Sequence, residues 1–194
     1  MEFRQFEQDD PKSNRRCCYI SKLRSGKPVF MKHGPRYFPI IIRIIRDHNP
    51  QMIVELGTHR GGMTLLLHEE FLDVEIHTFD QKALIDLGLF DHKKVFFYKE
   101  EIIKNESLVL IKLLEDNFDK RKLLYCDNGN KEKEIESYSK YLSPGDLLGC
   151  HDWMSEVKPE NINPILEKLN FVPIPENKIL KEKDLFSRFW IKES

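Results

Sequence analysis

Residues 52–62 read Met-Ile-Val-Glu-Leu-Gly-Thr-His-Arg-Gly-Gly. A compact apolar run that ends in glycine marks a buried strand. Three glycines in the next six positions make a loop whose backbone can pass close to a ligand. Gly62 to Phe71 then carries Met63, Leu65, Leu66 and Leu67 on a helical pattern. Strand, glycine loop and helix in that order open a parallel α/β unit, and the helix start offers N–H groups with no intrahelical acceptor.

The same alternation extends outward. Upstream, Pro35 to His48 predicts a helix, with Ile41, Ile44, Ile45 and His48 on one side and Arg43, Arg46 and Asp47 on the other, stopped by Asn49-Pro50. Downstream, strands are expected at Val74–Phe79, Val95–Tyr98, Leu123–Cys126 and Leu147–Cys150. Helices fall between them: a short one over Ala83–Leu89, one over Ser107–Phe118 facing inward through Leu108, Ile111 and Leu114, and one over 131–142 through Ile135, Tyr138 and Leu142. Asn163-Pro164 reads as cap and first position of a last helix carrying Ile165, Leu166 and Leu169. Phe171–Ile174 and Leu185–Ile191 then pair as closing strands with no helix between them. The class is α/β, a doubly wound and mostly parallel sheet with an antiparallel end.

Residues 1–34, broken by Pro11, Gly26, Pro28 and Gly34, read as an N-terminal extension with little regular structure, and residues 35–194 as the domain. The patch Val29-Phe30-Met31 would pack on the body or cover a pocket. With 194 residues, one domain is expected. Thirty-one basic against 32 acidic side chains leave a formal net charge of −1, so the case for a nucleic-acid or anionic-membrane surface fails. The most apolar stretch, Tyr37–Ile45, is short and holds Arg43, and the start of the chain lacks the apolar run of a signal peptide. Cysteines 17, 18, 126 and 150 have no zinc spacing and read as reduced cytosolic thiols, with Cys126 and Cys150 in the core. A cytoplasmic protein is expected. The apolar strand Phe186–Ile191, placed at an edge, would pair with a second copy and make a homo-oligomer.

In open α/β sheets ligands sit beyond the carboxyl ends of the strands. There the chain places Glu55 and the glycine loop, Asp80-Gln81, Glu100-Glu101, Asp127-Asn128-Gly129-Asn130, and His151-Asp152-Trp153. Asp80, at the end of the second strand and 23 residues beyond Gly57, suits the two hydroxyls of a ribose, or else caps the helix after it. A dinucleotide fingerprint would need glycine at position 59, which is His59, and no phosphate-binding G-K-[ST] occurs.

Glu-Leu-Gly-Thr-His-Arg-Gly-Gly, then Thr-Phe-Asp, Cys-Asp-Asn-Gly-Asn-Lys and Pro-Gly-Asp-Leu-Leu-Gly-Cys-His-Asp-Trp, resembles the class I S-adenosylmethionine-dependent methyltransferases over roughly residues 35–155. Its nearest look is to the cephalosporin-hydroxylase-like and small-molecule O-methyltransferase-like subgroup. The resemblance implies a seven-stranded Rossmann-like sheet with an antiparallel C-terminal strand. It implies that Glu55, Gly57, Thr58, Gly61 and Gly62 hold the methionine part of S-adenosylmethionine, that Asp80 with Gln81 takes the ribose, that Glu101 (or Glu100) faces the adenine, and that Asp127 lies beneath the sulfonium. Phe79 or Ile102 would line the adenosine slot.

Methyl transfer to a hydroxyl needs a base, and His151 is the candidate. Asp127 and Asp152, closing neighbouring strands, would orient it or bind a divalent cation such as magnesium. Asn130 and His151 stand where further acids would strengthen a magnesium site, so the metal stays open. The acceptor is expected to be a small molecule. Two rival readings are an NAD-dependent oxidoreductase, which lacks a Tyr-x-x-x-Lys pair here, and a non-catalytic module that keeps the fold. Hydroxylation chemistry finds no iron triad. His59 reads as a helix-entry residue, Arg60 as a cofactor contact or an exposed charge, Trp153 as a pocket floor or a core anchor, and Tyr37 with Phe38 as a lid.

Overall fold

The computed structural model describes residues 8–9, 16–22, 28–31, 37–82 and 93–194. Within the N-terminal 34 residues lie three short antiparallel strands, β1 (Gln8–Asp9), β2 (Arg16–Lys22) and β3 (Pro28–Met31), in the order β1-β2-β3. The expectation of little regular structure there is therefore corrected. Pro28 opens β3, which pairs antiparallel with β2 and carries the Val29-Phe30-Met31 patch.

Helix α1 (Phe38–His48) follows. Its isoleucines have a low helix propensity, but their spacing decides the matter: Ile41, Ile42, Ile44 and Ile45 are buried while Arg43 and Arg46 are exposed. Asn49 ends it in the left-handed region at φ 53°, and Pro50 prevents a further turn. Tyr37 and Phe38 are buried in the core beside this helix, so they are not a lid.

Strand β4 (Met52–Leu56), buried at all five positions, leads through the glycine loop to α2 (Gly62–Glu70). Then come β5 (Glu75–Asp80), β6 (Val95–Lys99), α3 (Leu108–Asp116), β7 (Lys122–Cys126), α4 (Lys131–Tyr138) with a 3-10 turn over Ser139–Tyr141, and β8 (Leu147–Cys150). The chain closes with α5 (Pro159–Lys168), β9 (Phe171–Pro173), α6 (Asn177–Glu182) and β10 (Arg188–Lys192). The expected helix over Ala83–Leu89 lies outside the described residues.

Three sequence expectations need correction. The helix α3, capped by Ser107, turns Leu110 and Leu114 inward and leaves Leu108 exposed, because its apolar side chains run round both flanks and packing on the sheet selects one. Helix α5 begins at Pro159, where a missing N–H costs nothing, and Pro164 rides in its exposed interior with the freed carbonyl of Glu160 also on the exposed side. The closing strands are joined through α6, whose Leu180 is fully buried.

The main sheet has the order β6-β5-β4-β7-β8-β10-β9. All neighbours are parallel except β10, which runs antiparallel to both β8 and β9. The doubly wound, seven-stranded expectation holds. Since β10 lies between two strands, it offers no free edge, and the expected pairing with a second copy through Phe186–Ile191 is removed. One apolar core packs α3, α4 and α5 on one face of the sheet; the other packs α1, α2 and Leu180 of α6 on the opposite face. The chain leaves β4 outward to β5 and β6, then returns to its other side as β7. The carboxyl ends of β4 and β7 thus flank the switch point where such folds open a crevice. Register aligns Leu56 with Phe79 and Cys126, and Cys126 with Cys150, so the residues after each strand emerge along one rim.

Candidate functional site

The loop after β4 is fastened to its neighbours by backbone. The Gly57 N–H donates to the Phe79 carbonyl at 2.8 Å, and the Asp127 N–H donates to the Leu56 carbonyl at 2.8 Å. Gly57 has φ +106°, and a Cβ there would stand 2.4 Å from the Asp127 carbonyl oxygen. Its lack of a side chain is thus needed first by the strand ends themselves. His59 has φ 50°, a left-handed conformation uncommon for a residue with a side chain. Its N–H donates to Asp80 Oδ2 at 2.8 Å, and that of Lys82 to Oδ1 at 2.8 Å. Asp80 is buried, and each of its oxygens keeps a lone pair beyond those bonds. Gly61, left-handed at φ 82°, precedes α2, whose N-terminus has no side-chain cap.

Glu55 does not reach the rim. Its buried carboxylate accepts from Thr64 Oγ1 at 2.5 Å and Thr78 Oγ1 at 2.6 Å, and Thr78 also meets Thr58 Oγ1 at 2.5 Å. Burial pushes its pKa up to about 7 against the pull of those two hydroxyls. Glu55 and Thr58 therefore brace the glycine loop from beneath. Glu101 also works locally, its Oε1 accepting from the N–H of Ile103 at 2.9 Å and of Lys104 at 3.4 Å. Phe79 and Ile102 are core residues, Phe79 stacked on Tyr98 at 4.4 Å, so neither offers an open face. Gln81 is exposed.

Beyond β7 and β8 the side chains converge. His151 Nδ1 lies 3.1 Å from Asp152 Oδ1 and 3.5 Å from Asp127 Oδ1. Asp152 sits at φ 58° and Met154 at φ 69°, two non-glycine residues in the left-handed region within one turn. The Ser155, Glu156 and Val157 N–H groups all donate to the Asp152 carbonyl, which holds that turn closed. Burial lowers the His151 pKa, but the bond to Asp152 and the charges of Asp127 and Asp152 outweigh it and leave the pKa raised above 6.5. Asp152, in turn, is held well below the usual carboxylate range, chiefly by His151. The Tyr37 ring stands edge-on to the His151 ring at 5.6 Å. Its hydroxyl bonds to Tyr125 and, at 2.6 Å, to Ser187, tying the entry of α1, β7 and the approach to β10 together under the histidine.

Sequence reasoning missed Lys131. Its buried ammonium is 2.8 Å from Glu156 Oε2, 3.0 Å from Asp152 Oδ2 and 3.9 Å from Asp127 Oδ1, and it donates to the Asn128 carbonyl at 2.9 Å. Burial disfavours its charge, but Glu156, Asp127 and Asp152 more than restore it and raise its pKa. Its position four residues after Asp127, at the first turn of α4, was the available signal. Glu134 was missed too: it is buried behind Asn128 with its pKa pushed up to about 8 by burial. Asn130 caps α4, accepting from the Lys133 N–H at 3.1 Å, and so is not a ligand position in reserve.

The structure thus brings Asp127, His151 and Asp152 into one cluster, and sets Gly57, Gly61, Gly62 and Asp80 along the same rim. Arg60 is exposed. Trp153 is both of the things expected of it, a core anchor packed on Trp190 at 5.1 Å and a wall of a cavity. Among the described residues no helix is long and apolar enough to cross a membrane.

No family model matches the chain, and no curated protein does. Solved structures do match in fold. CmcI without ligand aligns with TM-score 0.64 at 14% identity over 90% of this chain and 77% of that one. CmcI with magnesium and S-adenosylmethionine aligns with TM-score 0.61 at 14% identity over 84% and 73%. The SAH-bound methyltransferase PaMTH1 of Podospora anserina aligns with TM-score 0.51 at 17% identity over 79% and 76%. The chain shares its Rossmann-like fold with these structures.

Proposed function

We propose that the chain is an S-adenosylmethionine-dependent methyltransferase acting on a hydroxyl oxygen of a small molecule, with His151 as general base. The observation that carries this is the Asp127–His151–Asp152 cluster at the carboxyl ends of β7 and β8, beside the switch point of a methyltransferase fold.

The residues fit the donor. The uncapped N-terminus of α2, entered through Gly61 and Gly62, suits the carboxylate of a methionine moiety. Asp80 has lone pairs left for ribose hydroxyls, Gln81 stands beside it, and Glu101 follows the next strand. Glu55, Gly57 and Thr58 hold the loop in shape from beneath. When bound, S-adenosylmethionine supplies an electrophilic methyl on a sulfonium, and Asp127 provides a nearby negative charge. Asp152 keeps the His151 proton on Nδ1, so the neutral ring carries its lone pair on Nε2. There it takes the hydroxyl proton as the acceptor oxygen gains the methyl, and Asp127 and Asp152 stabilise the imidazolium that forms.

The same three side chains also fit one divalent cation, with donor atoms within 4.8 Å of one another. An imidazole among them suits a manganese- or zinc-like ion better than magnesium. Such an ion would lower the pKa of the acceptor hydroxyl. Lys131, 3.0 Å from Asp152, contends for that carboxylate and gives the cluster a positive charge of its own.

Calorimetric titration with S-adenosylmethionine, S-adenosylhomocysteine and NAD tests the reading. Saturable binding of the two adenosyl sulfur compounds and none of NAD is expected. Asp80→Ala should weaken that binding about ten-fold or more, the worth of a charge-assisted hydrogen bond. Binding of none of the three would remove the enzyme reading and leave a scaffold that works through partners.

A further inference from the structure

Trp153, α5, α6 and the strands β9 and β10 line a cavity of about 470 Å³, within the usual range of small-molecule sites. Its apolar floor is made by Trp153, Leu166, Phe171 and Trp190. Lys178 and Lys181 of α6 and Arg188 at the start of β10 add three positive charges against one carboxylate, Glu167.

Arg188 is the informative residue. It is half-buried, opposite Cys150 in the strand register, and its Nη1 donates to the carbonyls of Leu185 at 2.8 Å and Ser187 at 2.6 Å. Among the described residues no carboxylate pairs with it, and none pairs with Lys178 or Lys181. A guanidinium withdrawn from water without a counter-ion is costly, and an anion delivered by a ligand would offset that cost.

We propose that this cavity binds an acidic aromatic small molecule, its ring against the Trp153–Trp190 floor and its anionic group on Arg188, with Lys178 and Lys181 reinforcing. Trp153 is two residues from His151, and its N–H donates to the Phe186 carbonyl at 2.7 Å, which joins this wall to the approach to β10. Under the methyl-transfer reading the ligand is the acceptor, held by its acidic end; that role rests on that reading, whereas the binding does not.

The chain has two tryptophans and both face this cavity, so intrinsic fluorescence reports on it directly. The full chain, without S-adenosylmethionine, is titrated with 4-nitrobenzoate, 4-nitrophenyl phosphate and neutral 4-nitrobenzamide. Saturable quenching by the anions, at least about ten-fold tighter than by the amide, is expected. Whichever anion binds more tightly distinguishes a carboxylate ligand from a phosphate. Arg188→Gln should abolish that preference. Because Arg188 also holds the 185–187 backbone, the Lys178→Glu/Lys181→Glu double variant, on exposed positions of α6, is the second arm. It should weaken the anions about ten-fold with the urea midpoint unchanged. Equal binding of anion and amide, or anion affinity untouched by the double variant, would overturn the proposal. Anion binding without S-adenosylmethionine binding in calorimetry would remove the methyl-transfer reading and leave the cavity's assignment standing.

Discussion

Replacing Gly57 by alanine should unfold the rim before it affects any ligand. The added Cβ would lie 2.4 Å from the Asp127 carbonyl oxygen, 2.6 Å from its carbon and 2.8 Å from the Asn128 nitrogen, all backbone atoms that cannot swing aside. The residue would also be held at φ +106°, where an L side chain costs about 1–3 kcal/mol. Separating the ends of β4 and β7 to relieve the overlap adds about 1–3 kcal/mol, as for other overpacked sites. The loss is then about 2–6 kcal/mol, a large share of a typical stability of about 5–15 kcal/mol. Urea unfolding of the ligand-free protein measures it. Gly129→Ala is the control, since a Cβ at Gly129 meets nothing within 4 Å, and it should change stability by no more than about 0.5 kcal/mol. If Gly57→Ala loses less than about 1 kcal/mol, well under the strain and overlap terms together, the close backbone approach is not what this glycine serves.

With His151 as base, kcat/KM should fall toward acid with a midpoint above 6.5, and Asp152→Asn should move that midpoint down; a pH–rate profile checks both. The same raised pKa makes the contribution of His151 to stability complete below pH 6.5 and lost as pH rises through the folded value, opposite in direction to activity. Lys122→Met should cost about 3–5 kcal/mol in urea unfolding, because it strips the buried Asp146 of an ammonium at 2.9 Å. Glu134, with a folded pKa near 8 against 4.5 unfolded, stabilises the fold most at low pH and loses that contribution as pH rises to about 8. Glu134→Gln should therefore flatten the pH dependence of the unfolding midpoint between pH 5 and 8; an unchanged slope would refute the assignment.

The strands were legible because each central one is buried on both faces, so its apolar run is continuous and ends sharply at Gly57, Asp80 or Asp127. Helix phases were less so. Leu108 looked inward on periodicity, yet packing against the sheet buries Leu110 and Leu114 and leaves Leu108 exposed, a choice between flanks that an apolar helix leaves to its neighbours. Pro164 looked like a helix start, but a proline is tolerated inside an exposed helix face, and Pro159 met the same requirement earlier. At the site, Asp127, His151 and Asp152 were found from their positions after strands. Glu55 was assigned to a ligand because sequence tells that a carboxylate ends a strand, not which face it takes.

Sequence by itself determined the α/β class, the glycine loop at the first strand end and the row of acidic residues along one rim, since local periodicity and chain order suffice for these. Only the tertiary structure decided what each group does there. It set Lys131 among three carboxylates, turned Glu55 inward onto two threonines, placed β10 inside the sheet, and left Arg188 without a carboxylate partner among the described residues, in a cavity it shares with two tryptophans. Those outcomes depend on pairings between residues far apart in the chain, and on which side of a strand or helix faces its neighbour. Neither is fixed until the elements pack.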